Sequence, residues 1–320
     1  MKEQLRAMGI IPVVRIDRAD QAADLAQALR SGGLNCAEIT FRTEAAEEAI
    51  CAIAKRYPDM LLGAGTILTV QQAERAIAAG ATFIVSPGFD VDLVEYCQKR
   101  SVPIIPGCVS PSDVGRAVTM GLDMVKFFPA EQYGGVKTIK AMAAPFPKIS
   151  FVPTGGINPQ NIGAYLACPC VLACGGSWMV PPDLMQKGDF DTIEKLVRDA
   201  VVQMLGFELS HVGINAKGTA QAQDVAKSFA KAFFMDVQQK HHSVFAGTMI
   251  EVLEKPTRGQ CGHIAVGTTS VMRAKNFLER NGFAFDEESV QVDQNGKMKL
   301  AYLRDEIGGF AIHLIQKEAE

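Results

Sequence analysis

From residue 10 to about 205 the chain repeats one pattern, a short apolar run followed by a stretch with apolar residues at helical spacing. The runs cover residues 10–16, 36–41, 61–65, 83–86, 103–107, 124–128, 150–154 and 171–175. Alanine-rich segments such as 19–30 and 70–79 lie between them and predict helices. Eight strand–helix units of about 20 to 25 residues predict a (β/α)8 TIM barrel; six would have favoured an open doubly wound sheet. The pattern changes after residue 205. The tail predicts a strand at 209–215, a helix at 220–234, strands through 250–254 and a strand at 263–267. A helix at 271–281 and strands at 283–292, 297–304 and 310–316 follow. This βαβββ order occurs twice, at about 50 residues per copy, and predicts a smaller α+β domain of two modules. The expected division is 1–205 and 206–320.

One residue breaks the apolar pattern in a telling way. Lys126 sits among Met124, Val125, Phe127 and Phe128. Burying an ammonium is costly, so such a group tends to lose its proton, and a neutral amine attacks carbonyls to form Schiff bases. A lysine snorkelling from an edge strand is the other reading of that strand alone. Strand alternation puts Met124, Lys126 and Phe128 on one face. Glu38 is likewise enclosed by Ala37 and Ile39. A buried acid and a buried amine in one barrel interior stabilise poorly but make an acid–base pair.

A barrel of this kind carries its chemistry at the carboxyl ends of the strands. Arg15, Arg42, Thr66, Ser86-Pro87-Gly88, Thr154-Gly155-Gly156 and Gly175-Gly176-Ser177 all fall there. Glycine pairs after strands 7 and 8 expose backbone N–H groups and predict a phosphate cradle.

Composition narrows the function classes. The 320 residues are 48% hydrophobic with a net charge of -3, which offers no basic surface for nucleic acid or acidic membranes. No apolar run reaches the roughly 18 residues of a membrane span, and the N-terminus lacks a signal-peptide core. Eight scattered cysteines suit reduced thiols in a cytoplasm. Cys168, Cys170 and Cys174 read as small buried residues rather than a metal site.

The motifs 38-EITFRTE-44, 63-GAGT-66, 86-SPG-88, 126-KFFPAE-131, 153-PTGGI-157 and 175-GGSW-178 resemble the 2-keto-3-deoxy-6-phosphogluconate (KDPG) and 4-hydroxy-2-oxoglutarate (KHG) aldolases over residues 4–205. The resemblance implies a class I carbon–carbon lyase. Lys126 would form the Schiff base with pyruvate or the keto substrate, and Glu38 would move the protons. Arg42 and Thr66 would hold the pyruvate carboxylate, with Arg15 adding charge nearby. Pro87 and Phe128 would wall the pocket, and Thr154 would contact sugar-acid hydroxyls. Gly155, Gly156, Gly176 and Ser177, in line with the Gly175-Gly176 pair, would take the phosphate. The iminium replaces a Lewis acid, so no cofactor is needed. A homotrimer is also implied. A phosphosugar isomerase or epimerase would use the phosphate loops but not the lysine; a sugar-acid sensor would not retain both Lys126 and Glu38.

All five histidines lie beyond residue 205. The two modules open alike at 210-SHVGI-214 and 262-GHIAV-266 and close alike at 249-MIEVL-253 and 311-AIHLI-315. This resembles the glyoxalase/vicinal-oxygen-chelate superfamily, more loosely than the barrel resembles its family. Carried over by position, the metal ligands are His211, Glu251, His263 and His313. His313 stands where that superfamily commonly has Glu, which leaves the metal's identity open. Three imidazoles and one carboxylate suit Zn, Ni, Fe or Co. His241 and His242 fall outside the pattern. A second enzyme, a sensing module and an inactive appendage are all open roles for the tail.

Overall fold

The computed structural model describes residues 1–318. The chain forms two compact units, Met1–Met204 and Leu205–Glu320.

In the first unit every strand runs parallel: β1 (Ile10–Val14), β2 (Cys36–Thr40), β3 (Leu61–Gly65), β4 (Phe83–Val85), β5 (Ile104–Ile105), β6 (Met124–Phe127), β7 (Ser150–Pro153) and β8 (Cys174–Gly176). Six strands pair in the order β5-β4-β3-β2-β1-β8, and β6 pairs with β7. Single bridges join Gly107 to Lys126, Phe151 to Val171 and Thr154 to Gly175, so the sheet curls in the TIM manner. Helices follow the strands. Thr69 caps Val70–Ala79, Asp90 caps Val91–Lys99, and Ser110 with Asp113 forms a capping box on Pro111–Thr119.

The interior is filled by Ile11, Phe83, Val85, Ile105, Met124, Val152 and Leu172, together with Leu5. Leu5 belongs to a helix, Lys2–Met8, that the strand pattern does not predict. Phe83 reaches inward because its β3 partner is Gly63, where a β-carbon would lie 2.2 Å from the ring.

Strand 8 corrects the sequence reading. The predicted run 171–175 enters by the Val171 bridge, and the strand itself is Cys174–Gly176. Gly175 and Gly176 therefore lie within β8, paired with Ile11 and Pro12, rather than in a loop after it. Close packing demands them there. A β-carbon at Gly175 would come 2.4 Å from Thr154 Oγ1, and one at Gly176 would enter the Trp178 ring.

The second unit is mostly sheet. Its elements are β9 (Glu208–Asn215), helix Thr219–Phe233, β10 (Val237–Gln239), β11 (Ser243–Ala246) and β12 (Ile250–Leu253). Then come β13 (Gly262–Thr268), helix Val271–Arg280, β14 (Phe285–Val292), β15 (Met298–Leu303) and β16 (Phe310–Gln316). All eight strands form one sheet in the order β10-β11-β12-β9-β13-β16-β15-β14. Val244 and Val252, with Ile214 and Ile250, pack on Ala222 and Ala226 of the first helix. Strand alternation sends Phe245, Glu251, His211 and Gly213 to the opposite face.

Candidate active site

The centre of the first unit is the Lys126–Glu38 pair. Lys126 Nζ lies 3.2 Å from Glu38 Oε1, and the residues are 6% and 3% exposed. Lys126 is one inward step beyond Met124 on β6, so it stands directly on the apolar layer of the barrel. Glu38 holds the matching place on β2. One glycine gives the acid its room, and a second packs beside the lysine strand. A β-carbon at Gly65 would sit 2.1 Å from Glu38 Oε1, and Gly107, bridged to Lys126, is pressed against the Pro87 carbonyl. The Phe128 ring lies 5.5 Å from the ammonium, a cation–π contact at the mouth of the site.

Around this pair the carboxyl ends of the strands carry polar groups. Arg42 Nε donates to Thr66 Oγ1 at 3.2 Å. Thr66 takes a left-handed backbone, φ 57°, which a β-branched residue rarely adopts. Backbone strain of this kind clusters at functional sites. Thr154 Oγ1 is buried without a hydrogen-bond partner, a polar atom that awaits one. Gly155 and Gly156 follow with φ 97° and 78°, left-handed values that only glycine holds freely. Asn161 Nδ2 donates to the Gly156 carbonyl at 2.9 Å and fixes the turn.

Arg15 and Ser177 lie at the expected strand ends but are exposed, and Arg15 is ion-paired with Asp17 at 3.0 Å. Sequence reading did not single out Gly65 or Gly107, although a glycine inside an apolar strand signals close approach of another group.

The second unit gathers a second cluster. Ligand atoms of His211, His263 and His313 lie within 4.8 Å of one another. Glu251 Oε2 is 3.3 Å from His211 Nε2 and 3.2 Å from His263 Nε2. Parallel and antiparallel registers produce this: Glu251 and His263 both face Gly213 on β9, from opposite sides. A β-carbon at Gly213 would lie 2.0 Å from the His263 ring, so the glycine admits the imidazole. Burial would raise the Glu251 carboxyl, but hydrogen bonds with His211, His263 and Ser243 outweigh it and hold it well below the usual range. Burial, reinforced by His263 and His211, pushes His313 down to about 3. His313 Nδ1 is buried without a partner. Tyr302 lies beside His313 with ring centroids 4.5 Å apart, a neighbour not foreseen from sequence. His241 and His242 meet edge to face in the β10–β11 hairpin, outside this cluster.

None of the eight cysteines is in a disulfide, and no described helix is long and apolar enough to cross a membrane.

Known proteins match the first unit closely. The family described as "Aldolase: KDPG and KHG aldolase" matches residues 1–196. The 2-dehydro-3-deoxy-phosphogluconate aldolase of Treponema pallidum is 50% identical over 204 residues, 64% of this chain and 97% of that protein. The KHG/KDPG aldolase of Escherichia coli K12 is 45% identical over 60% of this chain and 90% of its own length. The KDPG aldolase of Legionella pneumophila, solved with pyruvate captured as a covalent carbinolamine, is 39% identical with a TM-score of 0.61, covering 62% of this chain and 97% of that one. With the family match spanning well over half its length, the chain belongs to the KDPG and KHG aldolase family.

Proposed function

We propose that the first unit cleaves 2-keto-3-deoxy-6-phosphogluconate to pyruvate and glyceraldehyde 3-phosphate, and 4-hydroxy-2-oxoglutarate to pyruvate and glyoxylate, through a Schiff base on Lys126. The observation that carries this reading is the buried Lys126–Glu38 contact at 3.2 Å. The amine of Lys126 attacks the C2 carbonyl, and the carbinolamine loses water to give an iminium. Glu38, within hydrogen-bond reach, passes the protons of that dehydration. It then takes the proton of the C4 hydroxyl as the C3–C4 bond breaks. The bonding pair flows into the iminium, the aldehyde leaves, and a proton returned to C3 gives the pyruvate imine, which water releases. Arg42 and Thr66 hold the carboxylate, a task for a planar guanidinium. Arg15 adds positive charge at the rim, while Pro87 and Phe128 wall the pocket. Thr154 offers its free hydroxyl to the substrate. The Gly155–Gly156 turn takes the phosphate, with the chain at Gly175, Gly176 and Ser177 closing the other side. The homotrimer implied by the resemblance belongs to the same reading, and light scattering would count the chains.

Borohydride reduction with pyruvate tests it. A pyruvyl adduct should map to Lys126 and vanish in Lys126→Ala. No adduct on any lysine would sink the mechanism.

The second unit has its own reading, as a divalent-metal centre on His211, Glu251, His263 and His313. Their donor set suits Zn, Ni, Fe or Co, and the carboxyl is held ionised while His313 is held neutral, the forms that ligate. Such a metal would act as a Lewis acid toward a bound oxygen. Glu251 and the three imidazoles would hold it, and Gly213 would keep the His263 ring in place. Elemental analysis of the purified full chain, with His263→Ala as control, tests this; absence of metal after growth with each of the four would end it.

A further inference from the structure

We propose that Tyr165 and Glu131 form a positioning pair that sets how strongly the Gly155–Gly156 turn holds phosphate, and so how far phosphorylated keto acids are preferred. This rests on the phosphate reading of that turn. Glu131 ends the 126-KFFPAE-131 motif and is tied to the turn by its backbone, its N–H donating to the Gly155 carbonyl at 3.2 Å. Its side chain runs beneath Gly156. A β-carbon at Gly156 would come 2.5 Å from Glu131 Cγ. A carboxylate in that place opposes a phosphate and competes for the same backbone donors.

Tyr165 answers that problem. It is 1% exposed and donates its hydroxyl to Glu131 Oε1. One carboxylate oxygen is thereby anchored on the phenol and cannot swing to the amides of the turn. Gly135 leaves the space for this bond: its β-carbon would lie 2.9 Å from Tyr165 Oη and 3.0 Å from Glu131 Oε1. Burial, with Glu131 adjacent, holds the Tyr165 phenol above its ordinary value, so it remains a donor throughout the neutral range.

The test compares the full-length protein with Tyr165→Phe and Tyr165→Phe/Glu131→Gln. Steady-state kinetics are measured with 2-keto-3-deoxy-6-phosphogluconate and with 4-hydroxy-2-oxoglutarate, and inorganic phosphate serves as competing probe. In Tyr165→Phe the KM for the phosphorylated substrate and the Ki for phosphate should rise about fivefold, the size expected for one partly screened charge. The kcat and the KM for 4-hydroxy-2-oxoglutarate should stay within about twofold, and the penalty should shrink as salt is raised. The double variant, lacking the carboxylate charge, should recover phosphate affinity. Equal losses on both substrates, or a loss that persists in the double variant, would overturn the proposal and leave Tyr165 a core residue. Wild-type indifference to phosphate would instead remove the phosphate turn, and the proposal with it.

Discussion

Gly65 lies directly against Glu38: a β-carbon there would sit 2.1 Å from Oε1 of the acid. The pair share adjacent strands, β2 and β3, and the missing side chain of one is the space occupied by the other. Gly65→Ala should therefore push Glu38 off Lys126. We expect kcat to fall by about a hundredfold, the cost of roughly 1 Å of misplacement, while the fold persists. Steady-state kinetics beside circular dichroism check this.

The Lys126–Glu38 pair should destabilise when only one member is removed. Lys126→Ala leaves a carboxylate 3% exposed and unpaired, which costs about 3–5 kcal/mol. Lys126→Met with Glu38→Gln removes both charges and should recover most of that loss, though neither variant turns over substrate. Thermal melts of the three proteins separate the structural from the chemical role.

Thr66 holds φ 57° while accepting from Arg42. Thr66→Gly should relieve strain of order 1 kcal/mol and raise Tm slightly. The same change removes the hydroxyl that orients the guanidinium, so KM should rise about tenfold. An unchanged KM would show that Arg42 needs no such support.

In the second unit Gly213→Ala places a methyl 2.0 Å from the His263 ring. If the proposed metal centre is right, the variant should lose divalent-metal binding as fully as His263→Ala, with aldolase activity unaltered. Metal content by elemental analysis and pyruvate release measured on the same sample decide it.

Buried thiols supply a pH test. Burial raises Cys97 to about 11 and Cys108 to about 12, so both remain protonated through neutral and mildly alkaline pH. The thiolate is the nucleophile, so neither should be alkylated by iodoacetamide below about pH 10 in the folded protein. Exposed Cys261 should react readily. Peptide mapping after labelling reads all three.

The strand rhythm, the anomalous Lys126 and Glu38, and the four ligand-type residues of the tail are all visible in the linear chain. Each is a local signal: period two, period 3.6, or a charge where the neighbours are apolar. Other features were invisible for a common reason. The helix Lys2–Met8 has no strand rhythm, and its Leu5 counts as core only once the barrel exists to receive it. Arg15 is legible as a cation at a strand end, but its ion pair with Asp17 emerges only in the folded chain. The Gly175-Gly176 pair reads as a loop until β1 pairs with it.

Residue types and their spacing pointed to which groups could react, because burying an amine or an acid is costly wherever it happens. Which groups meet depends on closure of the sheets. Lys126 reaches Glu38 across 88 positions, and His211 reaches His263 across 52. Those contacts depend on strand register, and register is set by packing over the whole core, where a missing β-carbon at Gly65 or Gly213 counts as much as any reactive side chain.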